Sequence, residues 1–370
     1  MFFHIILTTR CNLQCKYCYG ASCDDFVAEL PSNIDISYPE DMKYDVSLLK
    51  SFCDKDKDCV LTFYGGEPLC NIPKLTAVMD QIMPKWYMMQ TNAMMLDKLP
   101  SKYVNRFHTI LTSIDGDEKT TDNYRGVGVY KTVLKNIALI KKNGYTGELI
   151  ARMAVMEDTE IYSAVTHLVE KCGYTSVHWQ LDAMFWENDL RKRNFVDWVN
   201  SSYNHGIKKL IAYWLADMKK NKRVLKLYPF LDIMHDLLHN QKSLLRCGSG
   251  HSNYTIQTDG TIIPCPIMLG MKDYYLGHIR DADPAKLKKV HCNAPCDKCK
   301  SLGECGGRCL YANVMKPWGP QGYEILCPTV HNLIDSLKSA LPEVKQLISS
   351  GVVKLSDFDL VKFNGCEIIP

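Results

Sequence analysis

Six apolar runs of strand length punctuate the first half of this 370-residue chain, at 2–7, 59–64, 85–90, 109–114, 149–155 and 176–181. Longer stretches with helical spacing lie between them. The clearest, 130–144, puts Val133, Ile137 and Ile140 on one face and ends in two lysines and a glycine, as helix C-termini prefer. Another spans 161–173. This alternation predicts βαβ units and a parallel sheet. Six units are too few to close an eight-stranded barrel, so the expected fold class is α/β, a partial (β/α)6 barrel open on one side. In such sheets chemistry sits at the C-terminal ends of the strands.

Short motifs fall at those ends. TTRCNLQCKYCYG (8–20) follows the first strand, YGGEP (64–68) the second and QTN (90–92) the third. SIDG (113–116) follows the fourth, with NYRGVG (123–128) shortly after. Taken singly, GGEP reads as a turn and SIDG as a loop with a capping aspartate. Four such segments at one rim, in this order, are hard to explain as turns alone.

Seventeen cysteines set the chemistry. Cys11, Cys15 and Cys18 crowd the opening loop, and eight more fall between Cys247 and Cys327. The other six, Cys23, Cys53, Cys59, Cys70, Cys172 and Cys366, read as small buried hydrophobes or incidental thiols. Disulfides need an oxidising compartment, and nothing here directs export: FFHIIL is too short for a signal core and lacks a basic start and a cleavage site. No apolar stretch approaches the roughly 20 residues that span a bilayer. A net charge of +3 without a long basic run argues against a nucleic-acid binder. The expectation is a cytoplasmic protein whose cysteines serve metal or redox chemistry, with no membrane or nucleic-acid partner. Three thiolates in a Cys-x3-Cys-x2-Cys loop leave one corner of a four-iron cluster open, and an open metal position is where a substrate or cofactor binds. Zinc is the main competitor, but zinc knuckles use two Cys-x2-Cys pairs and no fourth ligand sits near this loop.

The second cysteine region follows two helical stretches, 195–220 and 229–245, whose Trp198, Tyr213 and Trp214 read as core. CGSGHSNYTIQTDGTIIPC (247–265) alternates around Asp259-Gly260, a strong hairpin signal. HCNAPCDKCKSLGECGGRC (291–309) and Cys327 complete the set. Eight thiols fill two four-coordinate clusters, and a pair of zinc sites would use eight equally well.

On these residues the chain resembles the radical S-adenosylmethionine (SAM) superfamily over roughly 4–185, and its SPASM subgroup of peptide- and protein-modifying maturases over roughly 247–330. Relatives include anaerobic sulfatase-maturing enzymes and thioether-forming peptide maturases. The resemblance implies a barrel over 1–190, a helical connection over 191–245, a SPASM domain with hairpin and cysteine-rich loops over 246–330, and a C-terminal helix and tail over 331–370. It implies that Cys11, Cys15 and Cys18 hold a 4Fe–4S cluster whose open iron is chelated by SAM. Tyr17 is then expected near the adenine; Gly65, Gly66 and Glu67 at the methionine ammonium; Ser113 and Asp115 at the ribose; Asn92 and Arg125 as further polar contacts. Cys296, Cys299, Cys305 and Cys327 are implied as ligands of an outer auxiliary 4Fe–4S cluster, and Cys247, Cys265 and Cys309 of an inner one. The inner cluster's fourth ligand is open between Cys292, His251 and none.

The resemblance also implies the reaction. A reduced cluster cleaves SAM to a 5′-deoxyadenosyl radical, which takes hydrogen from a peptide or protein. The first expectation is an oxidative modification, a thioether or carbon–carbon cross-link. Formylglycine-type oxidation and epimerisation are the alternatives, and an electron-transfer protein the alternative of another class. Sulfatase-maturing members carry an aspartate where this chain has Pro266, so the formylglycine reading lacks its base. Asp182, Glu187, Tyr64 and His178 are the remaining candidates near the rim. Many relatives carry an N-terminal peptide-binding extension; the loop here starts at Cys11, so a separate peptide-binding protein or the chain's own C-terminal region is expected to hold the substrate. A low-potential donor such as ferredoxin or flavodoxin, and an anaerobic cytoplasm, complete the expectation.

Overall fold

The computed structural model describes residues 1–18, 33–182, 193–316 and 318–365; Glu187, Cys23 and Cys366 lie outside them. The described strands are β1 (Phe2–Thr8), β2 (Val60–Gly65), β3 (Trp86–Thr91), β4 (Phe107–Ser113), β5 (Glu148–Val155), β6 (Ser176–Leu181), β7 (Lys226–Leu227), β8 (Asn253–Ile256), β9 (Thr261–Ile263) and β10 (Gly277–His278). The longer helices are α1 (Val46–Cys53), α2 (Ile72–Gln81), α3 (Glu118–Arg125), α4 (Val129–Lys142), α5 (Ile161–Glu170), α6 (Asn204–Asn221), α7 (Tyr228–His239) and α8 (Gln321–Ser349). The six expected strands are present, each within two residues of its expected start.

The chain divides into two compact units. One comprises Met1–Ile114, Glu118–Ile150 and Ser249–Val290; the other Asp115–Asp117, Ala151–Gly248 and His291–Pro370. In the first, the strand order is β10-β9-β8-β1-β2-β3-β4, ending on the opening residues of β5. Strands β1 to β4 run parallel. β1 is buried from Phe3 onward, as a strand covered on both faces must be. Asp45 starts α1 by accepting the Ser47 amide at 2.7 Å. In α4 the expected face, Val133, Ile137 and Ile140, is buried.

The hairpin forms where Asp259-Gly260 places it, with Thr255 opposite Ile263 and Ile256 opposite Ile262. Its destination was not legible in the sequence. β8 lies parallel to β1, Phe2 beside Asn253 through Ile5 beside Ile256, and Tyr254 stacks on Phe3 at 6.2 Å. The hairpin thereby covers the edge that β1 would otherwise leave unpaired.

In the second unit β5 is followed by β6 and β7. Trp179, Trp214 and Phe230 form the centre of its core, with Phe230 edge-on to Trp179 at 5.3 Å. Trp198 and Trp214 are buried as expected, while Tyr213 is half-buried and edge-on to Tyr162. The stretch 195–220 contains a π turn (Val199–Tyr203) ahead of α6. The expected helix over 229–245 stops at His239. Asn240 takes the left-handed conformation (φ 52°) that closes helices, and the chain beyond bonds elsewhere: Ser243 N–H to Gly303 O and Leu245 N–H to Gly306 O. Helix α8 starts before residue 331, so Cys327 sits on it, followed at once by Pro328. No described helix is long and apolar enough to cross a membrane.

One buried contact ties the fold of the first unit to its rim. Asn136, on α4 and 2% exposed, donates to the carbonyls of Ala93 (2.8 Å) and Met94 (3.3 Å) just beyond β3. Ala93 holds φ 60°, unfavourable for an L-residue, so the turn needs such a tether. Asn136→Leu removes the side-chain donor from both carbonyls, leaving Ala93 O only the longer bond from the Leu96 amide (3.4 Å), and is expected to cost about 1–3 kcal/mol in the urea unfolding free energy.

Candidate functional site

Because β1, β2 and β3 are parallel and in register, their C-terminal ends meet at one rim of the first unit. There the cysteine loop is laced to GGEP by backbone bonds: Gly66 N–H to Thr8 O at 3.0 Å and Glu67 N–H to Arg10 O at 2.8 Å. The approach is so close that a Cβ on Gly66 would stand 2.3 Å from Thr9 O and 2.4 Å from Arg10 O. Gly65 is similarly confined and also holds φ +141°. Two glycines are thus a steric requirement of the loop.

Cys15 and Cys18 share one turn, Cys18 N–H to Cys15 O at 3.0 Å, and the last turn of α3 braces it through Lys16 N–H to Tyr124 O at 2.9 Å. The Leu13 amide points at Cys11 Sγ (3.4 Å), and Asn92 Nδ2 lies 3.8 Å from the same sulfur. Cys11 is exposed, Cys15 and Cys18 half-buried. Among the described residues no three or more Cys, His, Asp or Glu side chains already converge as metal ligands. The fit to an iron–sulfur cluster therefore rests on donor chemistry: three thiols within one loop and N–H groups aimed at sulfur, the contacts that tune such clusters. Cys70 also stands here, its sulfur accepting from the Asn12 amide. Its nearness to the loop could not be read from its spacing.

Glu67 is 1% exposed and binds across the rim. Its Oε1 accepts from Leu69 N–H (3.0 Å) and Thr91 Oγ1 (2.7 Å), and its Oε2 from Asn92 N–H (2.7 Å). A carboxylate offers about four lone-pair positions, so Oε2 keeps capacity for one more donor. Burial outweighs these bonds and raises the carboxyl pKa to about 7. Asn92 is itself fixed, Nδ2 to Asn12 Oδ1 at 2.7 Å. Arg125 is buried with its guanidinium 5.3 Å from the Tyr17 ring, and Tyr17 lies 5.8 Å from Tyr124. Ser113 ends β4, half-buried. The expected cluster ligands Cys11, Cys15 and Cys18 and, of the expected SAM contacts, Tyr17, Gly65, Gly66, Glu67, Asn92, Ser113 and Arg125 belong to this unit. Asp115 belongs to the other, where it is fully buried and accepts the Ala154 amide at 2.9 Å.

The base candidates are already engaged. Tyr64 lies edge-on to His4 at 5.3 Å, and His4 Nδ1 is 2.9 Å from Asn253 Oδ1. In the second unit, Arg193 donates to the Asp182 carbonyl (2.5 Å) and bridges Asp182 and Glu157. Arg152 donates to His178 Nδ1 (2.7 Å), so that nitrogen carries a lone pair and the ring's proton resides on Nε2. His251 lies 2.9 Å from the Ser252 hydroxyl, in the first unit.

The carboxy-terminal thiols gather in the second unit, except Cys265, which is buried in the first. Cys296, Cys299, Cys305 and Cys327 line one cavity of about 60 Å3, with Cys309 on its wall. Cys305 receives the amides of Gly307 and Arg308, again N–H groups aimed at sulfur. Cys292 is buried 3.8 Å from Gly307 O; burial, then the thiols of Cys296, Cys309, Cys305 and Cys247, push its pKa up to about 12. Thiols crowded together in this way disfavour one another's ionisation until a cation joins them.

Residues 5–163 match the family model "Radical SAM superfamily". This region is a radical SAM domain. Proteins of this family work with a 4Fe–4S cluster and SAM. Over 294 residues the chain is 23% identical to a cysteine-type anaerobic sulfatase-maturating enzyme of Clostridium novyi (strain NT), covering 74% of this chain and 75% of that one. It is 24% identical over 323 residues to the antilisterial bacteriocin subtilosin biosynthesis protein AlbA of Bacillus subtilis (strain 168), covering 81% and 65%. The solved structure of native anSMEcpe with bound AdoMet superposes with a TM-score of 0.71 at 17% identity, over 94% of this chain and 99% of that one. The fold of the radical SAM domain and the region beyond it is shared with that structure.

Two outcomes are expected. Gly66→Ala drives a methyl group into two carbonyls and should cost roughly 1–3 kcal/mol, with loss of amino-terminal iron measured on the purified protein. Glu67 binds its proton more tightly folded than unfolded, so stability should fall as pH rises from 4.5 towards about 7. The slope reaches at most about 1.4 kcal/mol per pH unit, and Glu67→Gln should flatten the urea-midpoint profile across that window.

Proposed function

We propose that this chain is a radical SAM enzyme that oxidatively modifies a peptide or protein. The observation that carries the reading is the amino-terminal loop: three thiols at the end of β1, held against the GGEP backbone beside a carboxylate that retains acceptor capacity. In this reading Cys11, Cys15 and Cys18 hold the cluster and leave one iron for SAM. The free lone pair on Glu67 Oε2 takes the methionine ammonium, whose charge draws the carboxyl to its ionised form. Tyr17, stiffened by Arg125 and Tyr124, offers its ring to the adenine, while Asn92 and Ser113 supply polar contacts at the ends of β3 and β4. When bound, cluster and SAM supply a 5′-deoxyadenosyl radical that abstracts hydrogen from the substrate. The chain's own part is to position the reactants and exclude water from the rim.

The cavity shared by Cys296, Cys299, Cys305 and Cys327 supports an auxiliary cluster, with Cys247, Cys309 and Cys292 ligands of a second. Auxiliary clusters suit removal of an electron from a substrate radical, which favours net oxidation. A thioether or carbon–carbon cross-link comes first. Formylglycine formation is the second reading, favoured by likeness to a sulfatase-maturating enzyme and opposed by Pro266, which opens a 3-10 turn directly after Cys265. A low-potential ferredoxin or flavodoxin supplies electrons, the barrel mouth and carboxy-terminal region or a separate peptide-binding protein holds the substrate, and a reducing cytoplasm keeps the thiols available.

Anaerobic incubation of the reconstituted protein with SAM and reductant should release 5′-deoxyadenosine, and Cys15→Ala should abolish it. With the cognate peptide, the product should lose about two mass units, the signature of net two-electron oxidation. An unchanged mass with deuterium gained from heavy water would replace cross-linking by epimerisation.

A further inference from the structure

Arg246 directly precedes Cys247 and is 3% exposed. Its guanidinium clamps one carbonyl with two donors: Nε to Glu304 O at 2.8 Å and Nη2 to the same oxygen at 2.5 Å. Glu304 directly precedes Cys305. The clamp is part of a wider lacing, Ser243 N–H to Gly303 O and Leu245 N–H to Gly306 O. Gly306 holds φ +75°, and a Cβ there would stand 3.2 Å from both Arg246 N and Cγ, so the two segments are as close as backbones allow. On its other side Arg246 Nη1 pairs with Asp232 and, at 3.0 Å, with Asp236, both on α7. Lys362 Nζ adds a bond to Asp236 at 2.6 Å. Two carboxylates meet two cations, so the group is balanced without a cluster. The guanidinium charge also reaches the Cys305 thiol.

Desolvated ion groups add little net stability, so retaining this one calls for another role. Resting on the reading of Cys305 and Cys247 as ligands of two auxiliary clusters, we propose that Arg246 is a positioning residue for both. It fixes the Cys247 and Cys305 segments in one register and, bonded to the carbonyl that precedes Cys305 with the acids on its other side, turns the positive end of the ion group towards the outer cluster. A positive charge favours the reduced, more negative cluster.

The test uses full-length protein with Cys11, Cys15 and Cys18 changed to Ala, so that remaining iron is auxiliary. Arg246→Lys keeps the charge; Arg246→Met removes it. The inference expects Arg246→Met to weaken outer-cluster reduction about tenfold, 59 mV for one electron, in an EPR-monitored titration, with Arg246→Lys within threefold of the parent. Loss of iron from Arg246→Met alone, with helical circular dichroism intact and iron kept by Arg246→Lys, supports the clamp equally. A parental midpoint and iron content in Arg246→Met overturns it. So does loss of helical signal in both variants, which makes the arginine a fold residue only. Cys299→Ala in the same background separates the two ideas: if it retains all the iron, the cluster reading itself fails.

Discussion

Two amide bonds between the GGEP segment and the cysteine loop, Gly66 to Thr8 and Glu67 to Arg10, set the position of everything at the rim of the first unit. They require backbone to lie on backbone, which only glycine at 65 and 66 permits. Once the loop is pinned, Glu67 joins the end of β2 to the end of β3, and Asn92 carries that order on to Asn12 and towards Cys11. Buried hydrogen bonds of this kind specify one arrangement because any other leaves a desolvated group unpaired.

The second unit uses a different device. Apart from Cys327, its clustered cysteines sit in loops or on single helical turns, Cys296 opening one and Cys305 closing another, and short turns alone do not hold donors to within the tolerance of a cluster. Packing against α8 supplies one wall, since Cys327 rides on that helix beside the cavity. The carbonyl before Cys305 and the residue before Cys247 are joined by one guanidinium, itself braced by acids from α7. Lacing and charge do together what secondary structure does elsewhere.

The strands and the order of motifs were legible in the sequence because each βαβ unit announces itself locally: a buried run, a turn, a helical period. α4 and α5 were read from their spacing, and Glu160, which caps α5 through Tyr162 and Ser163, fits that pattern. Less was legible where distant segments decide. The stretch 229–245 carries apolar spacing past His239, but Asn240 and the pull of Gly303 and Gly306 end the helix. Pro328 and Pro342 argue against a helix that nonetheless runs from Gln321 to Ser349, because packing of its apolar face outweighs the lost bonds. Asn136, Cys70 and Arg246 carry no motif; their partners lie far away in sequence, and three-dimensional proximity alone reveals them.

The parallel pairing of β8 with β1 has a temporal side. Strand β1 leaves the ribosome well before its partner, and Asn253–Ile256 follows only after more than two hundred further residues. At about 5–20 residues per second, roughly ten to fifty seconds pass before one flank of β1 meets its neighbour. During synthesis the strand that carries the amino-terminal thiols is therefore bordered on one side only, and completion of the sheet around it is a late event in the life of the nascent chain.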